Sequence, residues 1–193
     1  MAILGFIGMP RNVSGQETML LMALFILAGF ISILVHELGH ALAGMIFNAK
    51  PYIVLQSFGG YAAFPGTQFT RVQSFIVTAA GPFVQIILGI ATFMALAFIP
   101  EEKIFFLHFM LTLCYISIIW AVLNLTPVHP LDGGQILFAA MGPRREKLAW
   151  QISMVSGIIV GIAMISSGIF PYMGMMVLMM VYQNYQTYSS IYR

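Results

Sequence analysis

Charged residues are scarce in this chain. Of its 193 residues only 7% are Asp, Glu, Lys or Arg, whereas 60% are hydrophobic. A soluble domain carries about 25% charged residues, so the composition excludes a soluble fold and indicates a polytopic, all-α integral membrane protein in a lipid bilayer. The length allows about five or six spans and leaves no room for a sizeable soluble domain. The net charge of +2 gives no reason to expect a nucleic-acid partner.

Cysteine and aspartate each occur once. Cys114 has no second cysteine with which to form an internal disulfide or a cysteine-based metal site, so we expect it to be a small buried apolar residue. Asp132 is the only aspartate, and it follows a long uncharged stretch, 104–131. A carboxylate in such a place needs a cation or another strong partner.

Ionisable residues nevertheless cluster inside one apolar run, 19–47. His36, Glu37 and His40 form the pattern HExxH within a predicted helix. Residues four apart share a helix face, so the two imidazoles can hold one zinc ion, and Glu37 is placed to take a proton from an activated water. The alternative is a polar cluster that only makes hydrogen bonds between helices.

A catalytic zinc ion needs a third protein ligand, and two residues are candidates. Asp132 and His129 both follow a predicted break in a helix. We favour Asp132, because a buried lone carboxylate needs a cation and the adjacent glycines allow close approach. Asn124 could donate a hydrogen bond to the substrate backbone or the developing oxyanion, or it could tie the end of its helix to a neighbour.

Apolar runs and their breaks predict the order of the segments. We expect an interfacial segment at 1–17, an intramembrane core at 18–140 and two C-terminal transmembrane helices in 141–193. The core would contain spans at about 18–48, 72–100 and 104–125. A regular helix through 124–134 is not expected, because this stretch holds two prolines and two glycines.

A β-branched and aromatic stretch between the first two spans is too short to cross the bilayer. It predicts a membrane-associated β-hairpin at about 52–64. Such a hairpin could pair with an extended peptide through its edge, and the alternative is a plain connecting loop. In the second span, small residues at 79–81 permit close helix approach, and Gln85 could be an interhelical hydrogen bonder.

Basic residues predict the orientation in the membrane. With five spans, one side holds most of the Lys and Arg residues: Lys50, Arg71, Arg144, Arg145, Lys147 and Arg193. The positive-inside rule makes that side cytoplasmic, with the N-terminus outside and the C-terminus inside. The HELGH stretch and the stretch 124–134 then fall toward the cytoplasmic half.

On these motifs the chain resembles the site-2 proteases, which are intramembrane zinc metalloproteases. HELGH at 36–40 matches the family's HExxH, and NLTPVHPLDGG at 124–134 matches its second motif, in which the aspartate is the third zinc ligand. FGG at 58–60 is similar to the glycine pair of the family's hairpin. AGP at 80–82 is similar to the small-residue signature of its middle core helix.

The resemblance implies a three-helix catalytic core and a zinc-dependent endopeptidase that cleaves transmembrane protein substrates in regulated intramembrane proteolysis. We expect Glu37 to be catalytic, and His36, His40 and Asp132 to bind one Zn²⁺ in a prokaryotic cell membrane. The residues that could contact substrate are Asn124, Gly59, Gly60 and Gln85.

The chain also departs from the family pattern. Relatives often carry Asn where Gln85 stands and a basic residue where Gln135 stands, and the length leaves no room for PDZ or CBS domains. Two other functions remain open: a membrane zinc carrier or sensor that uses the same ligands, and a proteolytically dead scaffold that binds membrane helices.

Overall fold

Six α-helices and one β-hairpin make up the part of the chain that this computed structural model describes, residues 14–56 and 59–192. Their order is α1 (Gly15–Ile46), β1 (Tyr52–Gln56), β2 (Gly59–Ala63), α2 (Arg71–Leu96), α3 (Ile104–Asn124), α4 (Asp132–Met141), α5 (Glu146–Ser166) and α6 (Pro171–Tyr192). The predicted fold class, a helical membrane protein with a short hairpin, is confirmed.

Helix α1 begins earlier than predicted because of a capping box. The Ser14 side chain accepts a hydrogen bond from the Glu17 backbone N–H at 3.3 Å, and the Glu17 carboxylate accepts one from the Ser14 N–H at 2.8 Å. The last residues of the predicted interfacial segment therefore belong to α1, and the rest of that segment, 1–13, lies outside the described residues. The helix ends before Asn48, which has a positive φ of 61°.

The predicted hairpin is present. Strands β1 and β2 are antiparallel, with Tyr52 opposite Ala63 and Gln56 opposite Gly59. Both strands contact α1. The hairpin is therefore packed on the helix that carries the HELGH stretch.

About five spans were predicted, and the described residues contain four candidates. Four described helices are long and apolar enough to cross a membrane: α1, α2, α3 and α5 together with the short turn before it, Pro143–Ser166. Helix α6 is not among them, because its second half contains a run of polar residues, QNYQTYSS at 183–190. The break between α5 and α6 lies at Gly168, which has a φ of 67°.

As expected, the stretch 124–134 is not one regular helix: α3 ends at Asn124, and helix resumes only at Asp132 as α4. The two glycines in the first turn of α4 allow close packing, as the sequence analysis expected of them. A Cβ at Gly133 would overlap the carbonyl oxygens of Leu125 and Thr126, and one at Gly134 would overlap the backbone of His129.

Contacts group the chain into two compact units. One contains α1, the hairpin and Ala80–Ala121, where α2 meets α3 through Gly89 and Ile118. The other contains Thr67–Ala79 and Val122–Arg193, and its buried apolar cluster consists of Leu123, Val128 and Val177. In this second unit α5 packs against α6 through small residues, Gly157, Gly161 and Gly174, as membrane helices commonly do.

Candidate metal centre and active site

One face of α1 carries the ionisable side chains. His36, Glu37 and His40 are all buried, with 5%, 5% and 8% of their surface exposed. The two imidazole rings meet edge to face, and their Nε2 atoms are 3.0 Å apart. Two ring nitrogens that face each other at this distance suit a cation that both can bind.

Gln85 on α2 orients the first of these rings. Its amide nitrogen donates to the Ser32 hydroxyl at 2.8 Å and to the Ser32 carbonyl oxygen at 3.4 Å, so its amide oxygen faces His36 Nδ1 at 2.9 Å. That oxygen can only accept, and therefore Nδ1 carries the proton of His36. The lone pair of the ring is left on Nε2, which is the atom next to His40.

The hydrogen-bond chain continues to a third helix. Ser117 on α3 donates from its hydroxyl to the Ser32 hydroxyl at 3.1 Å. Ser32, Gln85 and Ser117 are completely buried, so each needs these partners. The sequence analysis missed both serines, although Ser32, His36 and His40 follow one another at intervals of four along α1.

Small residues bring the backbones of α1 and α2 together at the level of the histidines. A Cβ at Gly39 would lie 2.7 Å from the Ala80 carbonyl oxygen and 2.9 Å from Gly81 Cα. A Cβ at Gly81 would overlap the ring of His40. The small residues predicted to permit close helix approach therefore define the space in which His40 sits.

The hairpin approaches the carboxylate side of the site. A Cβ at Gly60 would lie 2.9 Å from Glu37 Cγ and 3.0 Å from Leu55 Cδ2, so β2 can pass over Glu37 only because Gly60 has no side chain. At Gly59 a Cβ would meet nothing within 4 Å. The two glycines differ, and only Gly60 is required by the packing around Glu37.

Three of the predicted residues form a group that could hold a metal ion. His36, His40 and Asp132 are buried, each offers one ligand atom, and these atoms all lie within 4.8 Å of one another. Two imidazoles and a carboxylate form a donor set found in catalytic zinc sites, so the residues fit the ion that the sequence predicted. Asp132 occupies the first turn of α4.

The competing ligand, His129, is not in this group. Its ring lies 5.6 Å from that of Phe138 and 5.2 Å from that of Trp150, measured between centroids. Its backbone N–H donates to the Ser153 hydroxyl at 2.8 Å. His129 thus belongs to an aromatic cluster of the second unit.

The remaining predicted residues lie in different environments. Gln85 is completely buried and bonded to α1, so it is the interhelical hydrogen bonder that the sequence analysis considered. Asn124 is the last residue of α3 and is half-buried. Gln135 is exposed and donates to the Pro130 carbonyl oxygen at 3.1 Å, which ties α4 to the turn before it.

Comparison with known proteins finds one matching family model, several related sequences and a similar solved structure. The model of peptidase family M50 matches residues 100–167. A Synechocystis sp. protein whose name assigns it as a zinc metalloprotease is 31% identical over 151 residues, 74% of this chain and 35% of the relative. A zinc metalloprotease of Methanocaldococcus jannaschii is 31% identical over 122 residues, 63% of this chain and 35% of the relative.

A third relative is the stage IV sporulation protein FB of Bacillus subtilis, which is 31% identical over 109 residues, 55% of this chain and 36% of the relative. The chain therefore spans about a third of the length of these relatives. The fold matches a solved site-2 protease of Methanocaldococcus jannaschii with a TM-score of 0.61 and 23% identity, over 84% of this chain and 77% of that one.

These findings support a membrane zinc metalloprotease as the class of this protein. They support the membership of this chain in the site-2 protease family, which is peptidase family M50. Zinc as the cofactor follows from the family and from the buried His-His-Asp group.

The contact between Gln85 and His36 predicts a specific effect on zinc affinity. We expect Gln85→Ala to weaken zinc binding by about 10- to 100-fold, because His36 Nδ1 loses the acceptor that fixes its tautomer. Competition with a zinc-sensitive dye on the purified protein measures this. Thr92→Ala is the control, since Thr92 is also buried on α2 but bonds only to carbonyl oxygens of its own helix. An unchanged affinity in Gln85→Ala would contradict the role given to Gln85.

Proposed function

We propose that this protein is a zinc-dependent intramembrane endopeptidase. It hydrolyses peptide bonds in or near transmembrane segments of membrane-protein substrates, in regulated intramembrane proteolysis. The observation that carries the proposal is the buried pair His36 and His40 beside Glu37 in a membrane-spanning helix, with an Asp132 oxygen within 4.8 Å of the histidine ligand atoms. Ionisable groups are costly inside a bilayer, and a catalytic role accounts for all of them.

Each residue of the site has a defined task in this proposal. His36, His40 and Asp132 would hold the zinc ion, which would supply Lewis acidity toward water and the peptide carbonyl. Glu37 takes the proton of the attacking water and gives it to the leaving amine. Gln85 keeps the Nε2 lone pair of His36 directed at the metal position.

The substrate is proposed to bind along the hairpin, and Asn124 is a further candidate contact. The hairpin has only two strands, so each has an edge that can pair with an extended peptide, and Gly60 brings β2 to Glu37. The Asn124 amide is available to donate a hydrogen bond to the substrate backbone or to the developing oxyanion. Residues 18–140 would then form the catalytic core, with 141–193 as a helical C-terminal part.

The proposed orientation places the site in the cytoplasmic half of a prokaryotic membrane. Lys50, Arg71, Arg144 and Arg145 lie at or beyond the helix ends on one side, and Glu101 and Glu102 lie in the turn on the other. This charge pattern supports an N-terminus outside the cell. The relatives from bacteria and an archaeon support a prokaryotic host.

Removal of the Glu37 carboxylate tests the mechanism. In proteoliposomes that contain a candidate membrane substrate, we expect Glu37→Gln to lower the cleavage rate at least 100-fold, since general acid–base transfer contributes about 10²- to 10⁴-fold. Zinc content should stay close to that of the wild type. Cleavage is measured by electrophoresis and mass spectrometry of the products, with and without a chelator.

Equal cleavage by wild type and Glu37→Gln would show that the mechanism is wrong. The same vesicles test the alternative functions. Zinc uptake without cleavage of any substrate in a panel would favour the carrier, and substrate capture with neither cleavage nor uptake would favour the scaffold.

Cysteine labelling tests the orientation. In a Cys114→Ser background, a cysteine at Arg145 should be protected from an impermeant reagent added to whole cells, and one at Glu102 should be labelled. Both positions are exposed on the protein surface, so the difference reports the side of the membrane. Labelling at Arg145 with protection at Glu102 would reverse the orientation.

A further inference from the structure

The segment between α3 and α4 carries Asp132 at its end. Two short backbone hydrogen bonds form turns within it: the Val128 N–H donates to the Thr126 carbonyl oxygen at 2.7 Å, and the Leu131 N–H donates to the Val128 carbonyl oxygen at 2.8 Å. Asp132 follows directly as the first residue of α4. The place of this carboxylate therefore depends on how residues 126–131 are held.

Two buried polar side chains hold this segment by its backbone. Ser153 on α5 accepts from the His129 N–H at 2.8 Å, and Asn184 on α6 donates from its amide nitrogen to the His129 carbonyl oxygen at 2.7 Å. Asn184 also donates to the Ser153 hydroxyl at 3.2 Å. Ser153 has no exposed surface and Asn184 has 3%, so the backbone N–H and the carbonyl oxygen of His129 each have a buried side-chain partner.

Apolar packing reinforces the same contact. Val128 is completely buried with Leu123 and Val177, and a Cβ on Gly157 of α5 would lie 3.3 Å from it. The His129 ring is packed between aromatic rings on α4 and α5. The segment is thus attached to α5 and α6 through the backbone of His129 and through the side chains of Val128 and His129.

The first turn of α4 packs directly against this segment. Gly133 and Gly134 have no room for a Cβ against the backbone of 125–129. A shift of His129 would therefore move the turn that contains Asp132, because these backbones are in direct contact. Ser153 and Asn184 are the only side chains among the described residues that hydrogen-bond to His129.

We propose that Asn184 and Ser153 are positioning residues of the metal site. They fix the backbone of His129, and through it the place from which Asp132 reaches the metal. This inference rests on the proposed function, because it takes Asp132 as a zinc ligand. It also gives α5 and α6 a task in the chemistry, although neither helix carries a metal-binding or catalytic residue in the proposal.

Isosteric substitutions test the proposal in the full-length protein. Asn184→Asp keeps the shape but puts a carboxylate oxygen against the His129 carbonyl, and Ser153→Ala removes a single oxygen atom. We expect each to lower zinc affinity about tenfold and to lower kcat for a membrane substrate with little change in KM. Ser153→Thr, which keeps the hydroxyl, should restore zinc affinity to within about threefold of the wild type.

Matched controls separate positioning from general stability. Gln183→Ala and Ser156→Ala change neighbouring polar residues on the same helices that make no side-chain hydrogen bond among the described residues, and they should leave zinc affinity unchanged. In an Asp132→Ala background, Asn184→Asp should change zinc affinity less than twofold, because the group that it positions is absent.

The inference is overturned if Ser153→Ala and Asn184→Asp lower the unfolding temperature of the protein while zinc affinity stays within twofold of the wild type. It is also overturned if Asn184→Asp lowers zinc affinity equally with and without Asp132. If Asn184→Asp does not fold, Ser153→Ala and Ser153→Thr decide. A wild-type protein that binds no zinc would refute the proposed function itself.

Discussion

The cost of burying polar groups among apolar helices determines how this site is built. His36 is buried in a helix that spans the membrane, and its ring is bonded to Gln85, whose amide is bonded to Ser32, which accepts from Ser117. Gln85 is the central member of this network, because its loss would remove the acceptor of the buried His36 Nδ1–H. The hydrogen bonds that offset the free-energy cost of burial therefore also fix the direction in which the Nε2 lone pair of His36 points.

Close backbone approach is the second requirement, and glycine provides it at three places. Gly81 leaves room for the ring of His40, Gly60 lets the hairpin pass over Glu37, and Gly133 lets the turn of Asp132 lie on the preceding backbone. In each case a methyl group would occupy the space of a site residue or of the backbone that positions it.

Local patterns were sufficient to predict much of this structure from the sequence. The HExxH spacing within an apolar run predicted the histidine face of α1, and β-branched residues before a glycine pair predicted the hairpin. The contact of Gln85 with His36 could not be predicted, because it depends on the register in which α2 packs on α1. The glycines after Asp132 were expected to allow close approach, but the backbone that they pack against, 125–129, is visible only in three dimensions.

The central claim is that Asp132 and the histidines of α1 bind one zinc ion. The most direct measurement is the zinc content of the purified protein after dialysis, compared among wild type, Asp132→Ala and His129→Ala. The account predicts about one zinc per chain in the wild type and in His129→Ala, and a sharp loss in Asp132→Ala. Retention of zinc in Asp132→Ala together with its loss in His129→Ala would contradict the account.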